Sequence, residues 1–137
     1  MNNLLLNNTQ VVLPDGSREN ASVVVVGDKI SSIVDAGVGV NADTRIDLTD
    51  HKLFPGFIDV HNHGSVGIDV MDAQPDTLGE VSRYLASQGV TSWLPTLVPS
   101  SDDNYDRVAQ AIEFSVQTSN NGARILGIHY EDRKSVV

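Results

Sequence analysis

The run Leu53-Phe54-Pro55-Gly56-Phe57-Ile58-Asp59-Val60-His61-Asn62-His63 limits the possible folds of this chain more than any other stretch. It is a short apolar segment, stiffened near its start by Pro55-Gly56, and it ends in two histidines two positions apart. Side chains in a strand alternate faces, so His61 and His63 point the same way, near enough to share one metal ion. Neutral imidazole is a good ligand for zinc and neighbouring divalent metals. A buried strand ending in His-x-His is how a parallel barrel presents ligands at its C-terminal rim. The alternative is a pair of solvated histidines on an exposed edge strand, a pattern that also arises by chance.

Composition narrows the chemistry. The net charge of −9 over 137 residues lacks the basic footprint that nucleic acid requires. The acidic residues are scattered, which reads as solubility rather than a partner surface. With no cysteine, disulfides and thiolate sites are excluded, so a metal must use histidine and carboxylate. Leu4-Leu5-Leu6 is too short for a signal-peptide core, and no stretch approaches the ~20 apolar residues of a membrane span. The expectation is a cytoplasmic protein.

The first fifty residues read as short strands. Residues 4–6 and 11–13 are expected as separate strands flanking polar turns, and Pro14-Asp15-Gly16 is a strong turn signal. Residues 23–26 and 30–34 suggest a tight hairpin around Gly27-Asp28, and residues 45–48 add a further strand. The expectation is a small antiparallel sheet over 1–52, too thin to bury its own core. From Leu53 the pattern changes. Residues 53–60 read as one nearly continuous strand covered on both faces, followed by a glycine-containing loop over 64–73.

Thr77-Leu78-Gly79-Glu80 fits a capping box, with Leu78, Val81, Leu85 and Ala86 on one helical face and Gly89 ending the helix. Residues 90–98 read as a second buried strand, with Pro95 better suited to its end than its middle. A polar start over 101–104 precedes Tyr105, Val108, Ala109, Ile112 and Val116 at helical spacing, closed by Asn120-Asn121-Gly122. Residues 123–130 form the third strand. This alternation predicts an α/β fold of right-handed βαβ units on a parallel sheet.

The third strand ends Gly127-Ile128-His129-Tyr130-Glu131, with His129 and Glu131 on one face. Two imidazoles and a carboxylate from separate strand ends make a plausible metal shell, in which Glu131 bridges two ions or completes one site. The plain alternative for Glu131 is a solvated carboxylate where the strand leaves the sheet. His129 fits a hydrogen-bonded neighbour of the ligands better than a ligand. Asp59 faces away from the pair and is expected to cap a backbone group or orient an adjacent one. Asp69 and Asp72 either touch substrate or only form turns. Trp93 and Tyr84 read as packing residues. His51 precedes the strand at the opposite end from the site and is given no role.

Residues 55–63 resemble the first barrel strand of the amidohydrolase superfamily, preceded by that superfamily's small β-domain. Three segments resemble its N-acetylglucosamine-6-phosphate deacetylase family. They are Asn62-His63-Gly64 followed by Gly67 and Asp72, then Gly89-Val90-Thr91-Ser92-Trp93-Leu94-Pro95-Thr96-Leu97, then Gly127-Ile128-His129-Tyr130-Glu131. The resemblance spans 2–131. It implies part of a small N-terminal β-sandwich over 1–52, then the first three strands and two helices of a metal-dependent (β/α)8 TIM barrel over 53–131. It further implies that His61 and His63 bind metal in a binuclear arrangement, with Glu131 as the bridging ligand. The cofactor would be a divalent metal, zinc, as one or two ions.

The implied reaction is hydrolysis of the N-acetyl group of N-acetylglucosamine 6-phosphate, giving glucosamine 6-phosphate and acetate. The implied partner is thus a small amino-sugar phosphate, and the full-length family protein a homodimer. Two other readings stay open. One is another amidohydrolase, of dipeptidase, dihydroorotase or deaminase type, since all share the histidine strand, although the Glu131 strand argues against members bridged by a carbamylated lysine. The other is a non-catalytic β-domain protein with a vestigial metal site.

The chain departs from the family at its end. The family's late aspartate, which protonates the leaving amine, its later histidine ligands and its phosphate contacts have no counterpart here, so no catalytic acid is expected. Where the family continues with Gly-Pro and an aromatic residue, this chain has Asp132-Arg133-Lys134-Ser135-Val136-Val137. The common sequencing-adapter read GATCGGAAGAGCGTCGTG translates in frame to that hexapeptide, followed by a stop codon. Residues 132–137 are therefore expected to be non-native, the alternative being a genuine short protein with a basic tip. A barrel truncated after three strands is expected to be inactive, with an exposed parallel edge that promotes aggregation.

Overall fold

In the computed structural model, which describes residues 3–118 and 121–131, the apolar residues 4–6 and 11–13 lie on one strand, β1 (Asn3–Leu13), rather than on two. The polar residues between them form a bulge instead of a turn. Asn8 takes a left-handed φ of 57°, and the pairing slips between Leu6 and Thr9 and again between Thr9 and Val11. Asparagine tolerates that conformation better than most residues, so the strand kinks without leaving the sheet. The non-native tail inferred for residues 132–137 lies outside the described residues.

The chain divides into two compact units, Met1–Pro55 and Gly56–Val137. In the first, β2 (Gly16–Val26) pairs antiparallel with β1, and β3 (Lys29–Asp35) pairs antiparallel with β2 across Gly27 at φ 63°. That hairpin is the expected one. β4 (Thr44–Asp47) and β5 (Lys52–Leu53) run parallel to β1, so the sheet is mixed rather than antiparallel. The reason is edge availability. β2 occupies one edge of β1, and the returning chain starts β4 beside the beginning of β1, where Asp43 N–H donates to Asn3 O at 2.9 Å.

The resulting sheet has five strands. Its buried cluster is small, Val11, Ala21 and Val23, with Leu6, Leu13, Val25, Ile33 and Leu53 packed around it. Beside it, the Thr49 hydroxyl, then the Asn8 amide and the Thr49 N–H, hold the exposed Asp47 carboxyl below its usual range.

In the second unit, β6 (Phe57–Asn62), β9 (Val90–Leu97), β10 (Arg124–Ile125) and β11 (His129–Tyr130) form a parallel sheet. β9 lies at its centre, with β6 on one side and β10 and β11 on the other. Between β6 and β9 come a two-stranded ribbon of β7 (Gly64–Ser65) and β8 (Ile68–Asp69), a 3-10 turn over Val70–Asp72, and helix α1 (Leu78–Ser87). Helix α2 (Asp102–Gln117) follows β9. Trp93, Leu97, Leu78, Val81, Leu85, Val70, Val108, Ile112 and Ile125 form the core between helices and sheet. The alternation is the βαβαβ order expected, and all strand pairs of the four-stranded sheet are parallel.

Several details differ from expectation. The strand read over 53–60 is broken: β5 ends at Leu53 and β6 starts at Phe57, because Pro55 has no N–H to give a ladder. Phe57, Ile58 and Val60 are more than half exposed rather than buried. β6 stands at the sheet edge, whereas the helices pack on β9 and β10. Thr77 does not cap α1. Its own φ and ψ are helical, so its hydroxyl turns back and exchanges hydrogen bonds with Gln74. Ser101, with an extended backbone, does cap α2 by accepting from Asn104 N–H.

Ala86 and Val116 face solvent, and Ser82 and Ser115 take buried positions on the two helices. The strand over 123–130 is interrupted at 126–128, although Leu126 N–H still reaches Trp93 O at 3.1 Å and Ile128 turns onto the core. Among the described residues no helix is long and apolar enough to cross a membrane.

Candidate metal centre

The end of β6 is shaped by Asn62, the residue between the two histidines. Its side-chain N–H donates to Asp59 Oδ2 at 2.8 Å, and its side-chain oxygen accepts from Gly64 N–H at 2.8 Å. Asp59 Oδ1 accepts from His61 N–H at 3.2 Å. Asp59 therefore does what its position suggested, fixing backbone and neighbour without facing the histidines. On the far side, Val70 N–H donates to His63 O at 2.8 Å. Arg107 on α2 holds the following turn by donating to Ala73 O at 2.9 Å and to Met71 O.

Gly64 has φ +124°, and a Cβ there would lie 2.0 Å from Ile68 O. Gly64→Ala must break the β7–β8 ribbon that directly follows His63. The expected result is a loss of metal binding and a lower melting temperature, read by calorimetric titration and thermal circular dichroism. An alanine variant that binds like the parent would show that the ribbon does not set the site.

This scaffold brings the imidazoles together. His61 Nε2 and His63 Nε2 are 3.0 Å apart, with ring centroids 5.0 Å apart and nearly edge to face. Glu131 arrives from the other side of the sheet. β11 runs beside β9 with His129 opposite Thr96, and Glu131 N–H donates to Leu97 O at 3.0 Å. Its Oε1 lies 2.8 Å from His61 Nε2 and 3.2 Å from His63 Nε2. All three side chains are a third to a half exposed.

Three lone-pair donors this close repel unless a proton or a cation lies among them. At zinc–ligand distances of about 2.0–2.2 Å, separations of 2.8–3.2 Å correspond to angles of roughly 80–105° at a shared ion. His61, His63 and Glu131 would supply three protein ligands to such an ion, the number that catalytic zinc sites use. Two nitrogens and a carboxylate oxygen also suit zinc and its divalent neighbours. The donor set fits a divalent cation.

The structure sorts the other expected residues. His129 stands beside the group with its ring centroid 4.9 Å from that of His61, and its Nδ1 is 3.2 Å from the Thr96 hydroxyl. Asp69 accepts from Met71 N–H at 2.7 Å and caps the 3-10 turn, and Asp72 lies in the first turn of that element. Trp93 is fully buried, whereas Tyr84 is 43% exposed and is not a core residue, because it falls on the solvent side of α1. His51 lies in the first unit, its Nδ1 2.8 Å from Thr49 O. Two contributors carried no assigned role in the sequence reading, Thr96 and Arg107. A polar residue directly after a proline inside a buried strand is a signal for Thr96; nothing local marks Arg107.

No family model matches the sequence. Individual relatives do. The N-acetylglucosamine-6-phosphate deacetylase of Vibrio furnissii is 35% identical over 114 residues, 83% of this chain and 29% of that protein. A crystal structure of N-acetylglucosamine-6-phosphate deacetylase from Pasteurella multocida matches with a TM-score of 0.79 at 27% identity, over 95% of this chain and 34% of that one. The chain belongs with the N-terminal part of this amidohydrolase family.

The N-acetylgalactosamine-6-phosphate deacetylase of Escherichia coli O157:H7 is 39% identical over 79 residues, 58% of this chain and 21% of that protein. The chain thus spans a third or less of the length of the curated relatives it matches. The amidohydrolases are metal-dependent, and the exposed His61, His63 and Glu131 are the one group among the described residues arranged to hold an ion.

Proposed function

We propose that this chain supplies the opening of a (β/α)8 barrel and the first metal ligands of an amidohydrolase acting on N-acetylglucosamine 6-phosphate. Residues 1–52 are then the start of the β-domain, and 53–131 the first three barrel strands with two helices. The observation that carries the reading is the convergence of His61, His63 and Glu131 on one point at the C-terminal ends of parallel strands. His61 and His63 would hold a zinc ion through Nε2. Glu131 would share it through Oε1, and its second oxygen allows the carboxylate to bridge to a second ion.

The bound cation would polarise the amide carbonyl and acidify water near neutral pH. Asn62 and Asp59 fix the histidine backbone so that the donors hold their directions, and His129 packs behind His61. Protonation of the departing amine needs an acid that no described residue supplies at this site, so the chain alone is inactive. A sugar phosphate does not cross membranes unaided, which favours a cytoplasmic setting, and the longer protein is proposed to be a homodimer.

The Escherichia coli relative favours a second substrate, N-acetylgalactosamine 6-phosphate, which differs only in the configuration at C4. The test grafts residues 3–131 in place of the corresponding segment of the Vibrio furnissii relative and measures acetate release from both sugars. The expected result is zinc-dependent deacetylation by the graft, abolished by His61→Ala with His63→Ala, and none by the 137-residue chain alone. Turnover by the chain alone, or a graft whose activity survives loss of both histidines, would overturn the proposal.

A further inference from the structure

We infer that Thr96 is the positioning residue that locks the two halves of the metal centre together. The inference rests on reading His61, His63 and Glu131 as ligands. The histidine pair ends β6, and Glu131 follows β11. β9 is the strand that pairs with both, so rigid alignment of the donors must pass through it.

The backbone ladder fails where it is needed most. Between β6 and β9 the register shifts after Asp59 and Trp93, and the next partner of Asn62 is Pro95, which has no N–H. Asn62 N–H instead donates to Thr96 Oγ1 at 2.9 Å. From the other side His129 Nδ1 approaches the same oxygen at 3.2 Å, and Leu94 O lies 3.4 Å away.

A hydroxyl has two acceptor sites and one hydrogen. Asn62 N–H takes one acceptor site, and His129 Nδ1 meets either the second acceptor site or the hydroxyl hydrogen, according to its tautomer. Thr96 is fully buried, so no water can replace its oxygen. One atom therefore fixes the residue between the two histidines and also the imidazole that packs edge to face against His61.

Thr96→Val keeps the shape and removes the hydroxyl that meets both Asn62 N–H and His129 Nδ1. Loss of such an outer partner typically weakens metal binding about 10–100-fold. The experiment uses the whole chain at micromolar concentration. Zinc affinity is measured by competition with a chromophoric chelator, and amide exchange over residues 57–64 is followed by mass spectrometry without metal. Thr91→Val serves as a control, the same change on the same strand at an exposed position whose hydroxyl donates to Phe57 O.

The expected result for Thr96→Val is zinc affinity down about 10–100-fold with faster exchange at Asn62. Thr96→Ser should stay within about 3-fold of the parent, because it retains the oxygen, and Thr91→Val should be unchanged. If the valine variant does not fold, Thr96→Ser against Thr96→Ala makes the same comparison, since both lack the methyl and only alanine lacks the hydroxyl. Equal affinity for parent and Thr96→Val, or an equal loss in Thr91→Val, overturns the role of Thr96. A parent chain that binds no zinc overturns the ligand reading instead.

Discussion

Trp93→Ala is expected to unfold the second unit. Trp93 is the largest fully buried side chain of the molecule, at the centre of the cluster formed by α1, α2 and β9. Truncating a buried tryptophan to alanine costs about 3–5 kcal/mol through lost burial and the cavity left behind. A unit of this size has a total stability of only about 4–12 kcal/mol. The cost here should lie at the upper end, because two further effects add to it. Trp93 Nε1–H donates to Ser82 Oγ at 3.0 Å, and Ser82 is itself fully buried, so the substitution leaves that hydroxyl without its partner. Ser82 O also accepts from Ala123 N–H at 2.8 Å where Gly122 passes so close that a Cβ would lie 2.4 Å from the Ser82 carbonyl carbon. Any shift of α1 into the cavity breaks this seam.

Trp93→Phe should lose much less, since most of the volume remains. Trp93 is the only tryptophan, so its fluorescence in the parent reports on this unit alone, while far-ultraviolet circular dichroism reports on both. The expected outcome is loss of the helical signal of α1 and α2 in the alanine variant with the strand signal of β1–β3 retained. An alanine variant that melts within a few degrees of the parent would show that the core is not organised around this residue.

How much of this was legible beforehand depends on whether the deciding interaction is local. The hairpin at Gly27, the helix face Leu78, Val81 and Leu85, and the alternation of strands and helices rest on short-range pattern, and they are present. His61 and His63 were legible for the same reason, because a period of two fixes their common face. Most errors arose where a non-local choice intervened, and one, at Thr77, where a local partner competed. β4 runs parallel to β1 because the open edge of β1 is where the returning chain finds partners, which no local signal encodes. Thr77 and Glu80 have the right spacing for a capping box, but the Thr77 backbone is already helical and its hydroxyl is committed to Gln74. Residues 57–60 are apolar except for Asp59, a pattern that suits a strand covered on both faces, yet β6 is an edge strand in this chain. Val116 follows helical spacing from Ile112 and still faces solvent, since α2 buries Ala111 and Ser115 instead. The role of Thr96 depends on two partners 33 and 34 residues away and is visible only once the strands are side by side.

Removing the donors of the metal centre should abolish zinc binding while leaving the metal-free fold almost untouched. His61→Ala, His63→Ala and Glu131→Gln each remove one of the three converging donors proposed to hold the ion. Each should weaken zinc by more than the roughly 10–100-fold typical of an outer partner, and the double histidine variant should bind no zinc at this site. Stability argues in the opposite direction. The side chains of His61, His63 and Glu131 are 49%, 44% and 34% exposed, and partly solvated ion pairs contribute only about 0–1 kcal/mol. The three-way contact is therefore too weak to be a fold-stabilising device, although Asn62, Asp59, Gly64 and Thr96 all act to hold it in place. If the group were structural, the substitutions would lower the melting temperature of the metal-free chain and change zinc binding little. If it is a cation site, the melting temperature without metal stays within a few degrees, and the stabilisation that added zinc gives the parent disappears. His51→Ala controls for adventitious binding, because that imidazole belongs to the first unit and should leave zinc affinity unchanged. Thermal melts with and without zinc across these variants decide between the two readings, and a double histidine variant still stabilised by zinc would remove His61 and His63 from the site.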